Sequence, residues 1–199
     1  EIVAASAIAG FITTPDRIPE KPAEFAFKPD ERSITGNSSE KRSVAGKPSE
    51  IDGRCRLIAK DNIDTDMIFH NRYLAITDIR EMGQYTFDNL AGFEDFSKKA
   101  QPGDILITGK NFGSGSSRQQ AVDCFISLGI SAVIAESFGS IYERNAINAA
   151  LPIITCKNIS DLEPADGDRL RINLLTGELK NIRTGKTVMA EPFSEVQFE

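Results

Sequence analysis

The chain has 199 residues, 40% of them hydrophobic, and a formal net charge of −6. That is enough apolar material for a buried core, yet no apolar run reaches the ~18 residues that a membrane-spanning helix needs. The negative balance argues against a general nucleic-acid surface. His70 is the only histidine, and the three cysteines, Cys55, Cys124 and Cys156, follow no metal or redox spacing. A histidine-rich metal site and a serine–histidine triad within this chain are therefore excluded as readings. Each cysteine sits in or beside an apolar stretch and reads as a small buried hydrophobe. An odd count with no framework suits a reducing compartment, so a cytoplasmic location is expected.

Residues 1–12, EIVAASAIAGFI, read as packed structure. They lack the basic start of a secretory signal and look like the end of a larger body, so the chain is expected to be a fragment or a processed piece. Residues 13–50 are rich in Pro, Ser, Lys and Glu, which is linker composition. From Ile51 the chain turns globular. Cys55 to Ala59 predicts a strand. DNIDTD (61–66) is dense in turn formers, and Met67-Ile68-Phe69 is a short apolar segment. NRYLAITD (71–78) leads to a predicted helix over 79–90, and a second is predicted over 93–100. Pro102-Gly103 turns into a strand at 104–107.

The loop GKNFGSGSSR (109–118) follows. A helix is predicted from about 116 to 128, with Ala121, Val122, Cys124, Phe125 and Leu128 at helical spacing and Gly129 as its stop. A strand is read at 131–135, a helix at 138–149 bounded by Pro152, and a strand at 153–155. Strand–helix–strand–helix–strand implies parallel pairing. The tail reads as short strands at 169–174, 178–182 and 187–189, joined as hairpins through Thr-Gly pairs at 176–177 and 184–185. The predicted fold is α/β, with parallel core strands and an added antiparallel hairpin part.

The glycine loop carries the chemistry. Glycines let a ligand approach the backbone closely, and a helix opening at the serines would offer unpaired N–H groups to an anion. Arg118 adds a planar fork suited to a carboxylate. GSGSSR also approaches a dinucleotide fingerprint, and Glu136 stands where a ribose-binding acid would. Arg118, however, occupies the position that wants glycine or alanine, and Lys110, Asn111 and Phe112 lengthen the turn. Gly185-Lys186-Thr187 ends like a phosphate-binding loop, but Lys180 stands in place of the first glycine. Taken alone, the loop is equally a capped helix start with a surface arginine. The aspartates of DNIDTD lack calcium-loop spacing and read as a solvated turn. Arg144, Asn145 and Asn148 read as a hydrogen-bonding group on a helix.

DNIDTD, NRYL, GKNFGSGSSRQQAV and AVIAESFGSIYERNAINAALPII, in this order and near these separations, resemble the swivel domain of the aconitase superfamily. Its nearest likeness is to isopropylmalate dehydratase small subunits and their homoaconitase and aconitase relatives. The likeness covers about residues 55–198. Residues 1–12 are similar to the C-terminal end of the large iron–sulfur part, which would make 13–50 a linker and 51–199 the swivel domain. The resemblance implies a swivelling β/β/α fold, closing over a [4Fe-4S] cluster carried by a catalytic domain or large subunit outside this chain. It implies dehydration and rehydration of a small hydroxy acid. Ser116 would be the base that removes the carbon-bound proton. Ser117 and Arg118 would hold a substrate carboxylate, and Asp66 would belong to the site wall. Ala75 and Ile76 stand where the family selects the substrate side chain. Apolar residues there favour an alkyl group, since burying an unpaired carboxylate against them is costly. Arg72 or Arg80 swinging in would instead suit a third carboxylate, as in aconitate or homoaconitate hydratase. A nucleotide- or anion-binding module is the alternative of another class.

Overall fold

Strand β1 (Glu50–Ile58) joins two kinds of sheet. Its first half, Glu50–Arg54, runs antiparallel to β5 (Arg169–Asn173). Its second half, Cys55–Ile58, runs parallel to β2 (Ile105–Thr108). The computed structural model describes Arg17 and residues 49–198, and apart from Arg17 these belong to one compact unit, Val44–Glu199. The expected remnant 1–12 and, Arg17 apart, the linker up to residue 48 lie outside the described residues. Glu50, at the end of the expected linker, pairs with Asn173 and is the first residue of β1.

Around β1 the strand order is β4-β3-β2-β1-β5-β6-β7, with β3 at Ala132–Ala135 and β4 at Ile153–Thr155. The other two are β6 at Glu178–Asn181 and β7 at Thr187–Met189. β1, β2, β3 and β4 pair in parallel and β5, β6 and β7 antiparallel, as the crossover and hairpin patterns predicted. The two halves carry different sequence signatures for a physical reason. β2 and β3 are buried at every residue, as befits strands covered on both faces. β5 and β6 alternate exposed and buried, so only one of their faces is covered.

Leu106, Val133 and Ile153 face a core shared with the helices. Ile105, Ile107, Ala132, Ile134 and Ile154 face a second core, with Leu170, Ile172, Leu179 and Val188 of the antiparallel part. The layers are therefore antiparallel sheet, parallel sheet, helices. The tail curls the sheet further: Glu191 N–H donates to Thr155 O on β4 at 3.0 Å, and Phe193 N–H to Leu174 O at 3.0 Å.

The helices are shorter than predicted. They are α1 (Thr65–Ile68), α2 (Ile79–Met82), α3 (Phe96–Lys99), α4 (Gln120–Leu128), α5 (Ser140–Asn148) and α6 (Glu195–Phe198). None of the described helices is long and apolar enough to cross a membrane. The single helix expected over 79–90 stops at Met82 and continues as a 3-10 turn, Gly83–Tyr85. Gly83 N–H goes instead to Ser127 Oγ at 3.1 Å on α4, and Phe87 takes a left-handed φ of +61° that no α-helix tolerates. Of 93–100 only the last turn is helical.

The antiparallel part has an acid-sensitive lock. The Asp168 carboxylate, 6% exposed, accepts Arg183 Nε at 2.6 Å, Asn181 Nδ2 at 2.8 Å and Ala165 N at 2.9 Å. These bonds, Arg183 first, hold its pKa down to about 2 from an ordinary 3.8, against the opposing effect of burial. The folded value is below the unfolded one, so this stabilisation is complete above the ordinary carboxylate range and is lost as pH falls through the folded value. We expect about 2 kcal/mol of unfolding free energy to disappear between about pH 5 and pH 2 on this account. Asp168→Asn should flatten that part of the acid slope in urea titrations, and an unflattened slope would place the proton uptake elsewhere.

Candidate active site

The loops leaving the carboxyl ends of β1, β2 and β3 run side by side, at the end of a parallel sheet where ligands bind in open α/β folds. Gly109 N–H donates to Lys60 O at 3.1 Å, Asn62 N–H to Lys110 O at 2.8 Å and Gly113 N–H to Ile63 O at 2.8 Å. Phe112 N–H reaches Ser137 O at 3.0 Å, and Gly139 N–H reaches Phe112 O at 2.8 Å. Gly113 is required by its position. Its φ is +72°, and a Cβ there would lie 2.2 Å from Tyr142 Cγ.

The turn-rich DNIDTD is a bracket for this loop rather than a solvated turn. Asp61 Oδ1 accepts Lys110 N–H at 2.7 Å. Asp64 caps α1, accepting the N–H groups of Asp66 and Met67 at 2.8 Å each. Thr65, 3% exposed, donates its hydroxyl to Ser116 O at 2.9 Å. The Asp66 carboxylate takes Arg118 Nη1 at 2.5 Å, and the same nitrogen donates to Phe69 O at 3.2 Å. Asp66 also accepts Asn71 N–H at 3.0 Å and Asn89 Nδ2 at 3.4 Å. The Arg118 guanidinium holds the Asp66 carboxyl below its ordinary range; partial burial opposes this and the Asn71 N–H assists.

Ser116, Ser117, Arg118 and Asp66 are thus brought together. Ser116 and Ser117 are exposed, while Arg118 keeps only 16% of its side chain open. Asn145 Nδ2 on α5 donates to Ser117 Oγ at 3.3 Å, fulfilling the hydrogen-bonding role expected of its group; Arg144 and Asn148 are exposed. The expectation that α4 opens at the serines is corrected. Thr65, Asn145 and Asp66 pull residues 116–118 into the bracket, and the helix starts at Gln120. A helix dipole acts mainly within its first turn, so with α4 starting at Gln120 the serines lie outside that turn.

Ala75 stands exposed on the turn after a 3-10 segment, Asn71–Tyr73, and Ile76 is partly buried against the helical core. Sequence reasoning missed Thr65 and Asn89. Thr65 lies within DNIDTD but carries no sequence signal of its role, Asn89 follows no motif, and only the fold aims them at residues 116 and 66. Glu136, the acid a dinucleotide reading needs, faces Lys110 at 3.8 Å.

An iron–sulfur cluster does not fit the three cysteines of this chain. Cys55 and Cys156 lie in the strand core and Cys124 in the helical core, all buried. Burial pushes the thiols of Cys55 and Cys124 up to about 12, far from the thiolate a cluster iron requires. Among the described residues no three of His, Cys, Asp and Glu converge on a metal position.

Comparison with known proteins agrees with this architecture. The aconitase C-terminal domain family matches residues 40–158. The chain is 47% identical over 140 residues to the isopropylmalate/citramalate isomerase small subunit of Methanocaldococcus jannaschii, covering 70% of this chain and 81% of that protein. It is 45% identical to the 3-isopropylmalate dehydratase small subunit of Caldicellulosiruptor bescii, covering 68% and 80%. The crystal structure of 3-isopropylmalate dehydratase from M. jannaschii superposes with a TM-score of 0.68 at 38% identity, covering 74% of this chain and 85% of that one. This chain belongs to the aconitase C-terminal domain family.

Proposed function

We propose that the chain is the substrate-binding domain of a hydro-lyase that interconverts 2- and 3-isopropylmalate by dehydration and rehydration. The observation that carries the proposal is the exposed Ser116 two residues before Arg118, whose side chain is 16% exposed and held by Asp66. The small-subunit relatives imply a large-subunit partner, and an iron–sulfur cluster would belong to that part. In this reading residues 1–12 are the end of the iron–sulfur part, 13–50 a linker and 51–199 the swivel domain. The enzyme works in the cytoplasm, where the three cysteines stay reduced.

The chain's own residues supply binding and proton transfer. Both described bonds of Arg118 run through Nη1, which leaves Nε and Nη2 of the fork for a substrate carboxylate. Ser117 joins that contact. Ser116 Oγ takes the proton from the carbon next to the carboxylate. A serine hydroxyl is a weak base, and the neighbouring guanidinium favours its anionic form. The same charge stabilises the negative charge that builds on the substrate. Ala75 and Ile76 offer an apolar wall to an alkyl group. Each arginine that could serve a third carboxylate is engaged: Arg80 by Asp78 at 2.6 Å and Arg72 by Asp88 at 3.4 Å.

The test uses the complete enzyme, this chain with its iron–sulfur part, and compares kcat/KM for 3-isopropylmalate, citramalate, citrate and homocitrate. Preference for 3-isopropylmalate is expected, and preference for citrate would overturn the alkyl reading. Arg118→Lys should lower kcat/KM about a hundredfold, because lysine keeps the charge but not the fork. An unchanged kcat/KM would remove Arg118 from substrate binding.

A further inference from the structure

Asp88 sits on a turn that brings three parts of the site under one hold. Phe87 before it has φ +61°, a conformation bulky residues rarely adopt. Its buried ring is locked edge-on against Phe96 at 5.0 Å and Phe125 at 5.4 Å, and its N–H donates to Ile68 O at 2.9 Å. This left-handed step turns the next two residues back toward 66–73. Asn89 reaches Asp66. Asp88 Oδ2 accepts the Tyr73 hydroxyl at 2.6 Å and Arg72 Nη2 at 3.4 Å. The Arg72 guanidinium also lies over the Tyr73 ring at 5.0 Å, and that ring stacks on Tyr85 at 4.0 Å.

Arg72 is rooted one residue from Asn71, whose N–H binds the same Asp66 oxygen that takes Arg118. It is therefore a half-exposed cation at the edge of the substrate site, folded onto Asp88. Asp88 Oδ1 is buried with no hydrogen-bond partner among the described residues. A carboxylate so poorly hydrated holds a cation more firmly than an exposed one does.

We infer that Asp88 is a specificity-determining residue: it keeps Arg72 away from the turn through Ala75 and Ile76, so that the site offers no cation to a third carboxylate. The inference rests on the proposed substrate site at Ser116 and Arg118. Asp88 acts through Arg72 and Tyr73 and touches no substrate.

In the complete enzyme, Asp88→Ala should raise the ratio of kcat/KM for citrate over 3-isopropylmalate about tenfold, the scale of one partly shielded ion pair with its cation–π contact. Arg72→Ala added to it should restore the wild-type ratio, and Arg72→Ala alone should leave that ratio unchanged. A merely structural role for Asp88 would lower turnover of both acids together. An unchanged ratio in folded Asp88→Ala overturns the inference, as does a loss of 3-isopropylmalate turnover in Arg72→Ala. Should Asp88→Ala not fold, Asp88→Asn keeps an acceptor for Tyr73 while removing the charge, and the same shift is expected. A wild-type enzyme that turns over neither acid would refute the functional reading itself. Hydrogen exchange on the full chain then judges the hold separately. Asp88→Ala should speed exchange of the Tyr73, Leu74 and Ile76 amides about tenfold with Leu106 unchanged, and equal exchange would overturn it.

Discussion

Replacing Ser116 by alanine is expected to lower kcat in the complete enzyme by at least about a thousandfold while leaving stability unchanged. The two effects separate because of how Ser116 is held. Its carbonyl, not its hydroxyl, is the structural contact, accepting the Thr65 hydroxyl at 2.9 Å. The side chain is exposed, so removing one oxygen leaves no cavity and no orphaned partner in the core. Kinetics and thermal unfolding measured on the same preparation decide it. A variant that folds and still turns over within about tenfold of wild type would reassign the base. Ser117→Ala is the internal comparison. It removes the acceptor of Asn145 Nδ2 and should weaken KM more than kcat.

Gly113→Ala is expected to cost about 3 to 5 kcal/mol of folding stability, the sum of a strained backbone and a steric clash. The backbone at Gly113 has φ +72°, and the new methyl carbon would stand 2.2 Å from Cγ and 2.6 Å from Cβ of Tyr142. Tyr142 cannot retreat easily. Its ring is 1% exposed and packs edge-on against Phe112 at 5.3 Å. Gly113 N–H also ties the β2 loop to Ile63 O, so relief by shifting the loop would move residues 116–118. Gly115→Ala separates the two costs. Its φ is +95°, but its nearest contacts would be Thr65 Oγ1 at 3.6 Å and Asp64 Cβ at 3.7 Å. Only the backbone penalty of about 1 to 2 kcal/mol is expected there. Urea denaturation of both variants tests the contrast, and equal losses would show that Tyr142 yields.

The parallel strands and the hairpins were legible because their signals are local and strong. Continuous apolar runs between glycines and prolines marked β2, β3 and β4, and alternation with Thr-Gly turns marked β5, β6 and β7. The region 59–100 was less legible. Its hydrophobic residues suited two helices, but Gly83 and Phe87 answer to tertiary partners, Ser127 Oγ and Ile68 O, that no local pattern reveals. The same reason explains Asp66. The motif placed it on the site wall, whereas its bond to Arg118 spans 52 residues of chain.

By itself the sequence determined the alternation of elements, the glycine loop with its serines and arginine, and the family to which the chain belongs. These depend on residue type and spacing, which a chain carries in one dimension. Only the tertiary structure decided that helix α4 starts at Gln120, that the aspartates of DNIDTD bracket the glycine loop, and that Asp88 holds Arg72. Each rests on contacts that local sequence does not specify, from a separation of 16 residues between Arg72 and Asp88 to one of 51 between Thr65 and Ser116. Such contacts exist because the two cores on either side of the parallel strands hold the loop ends together.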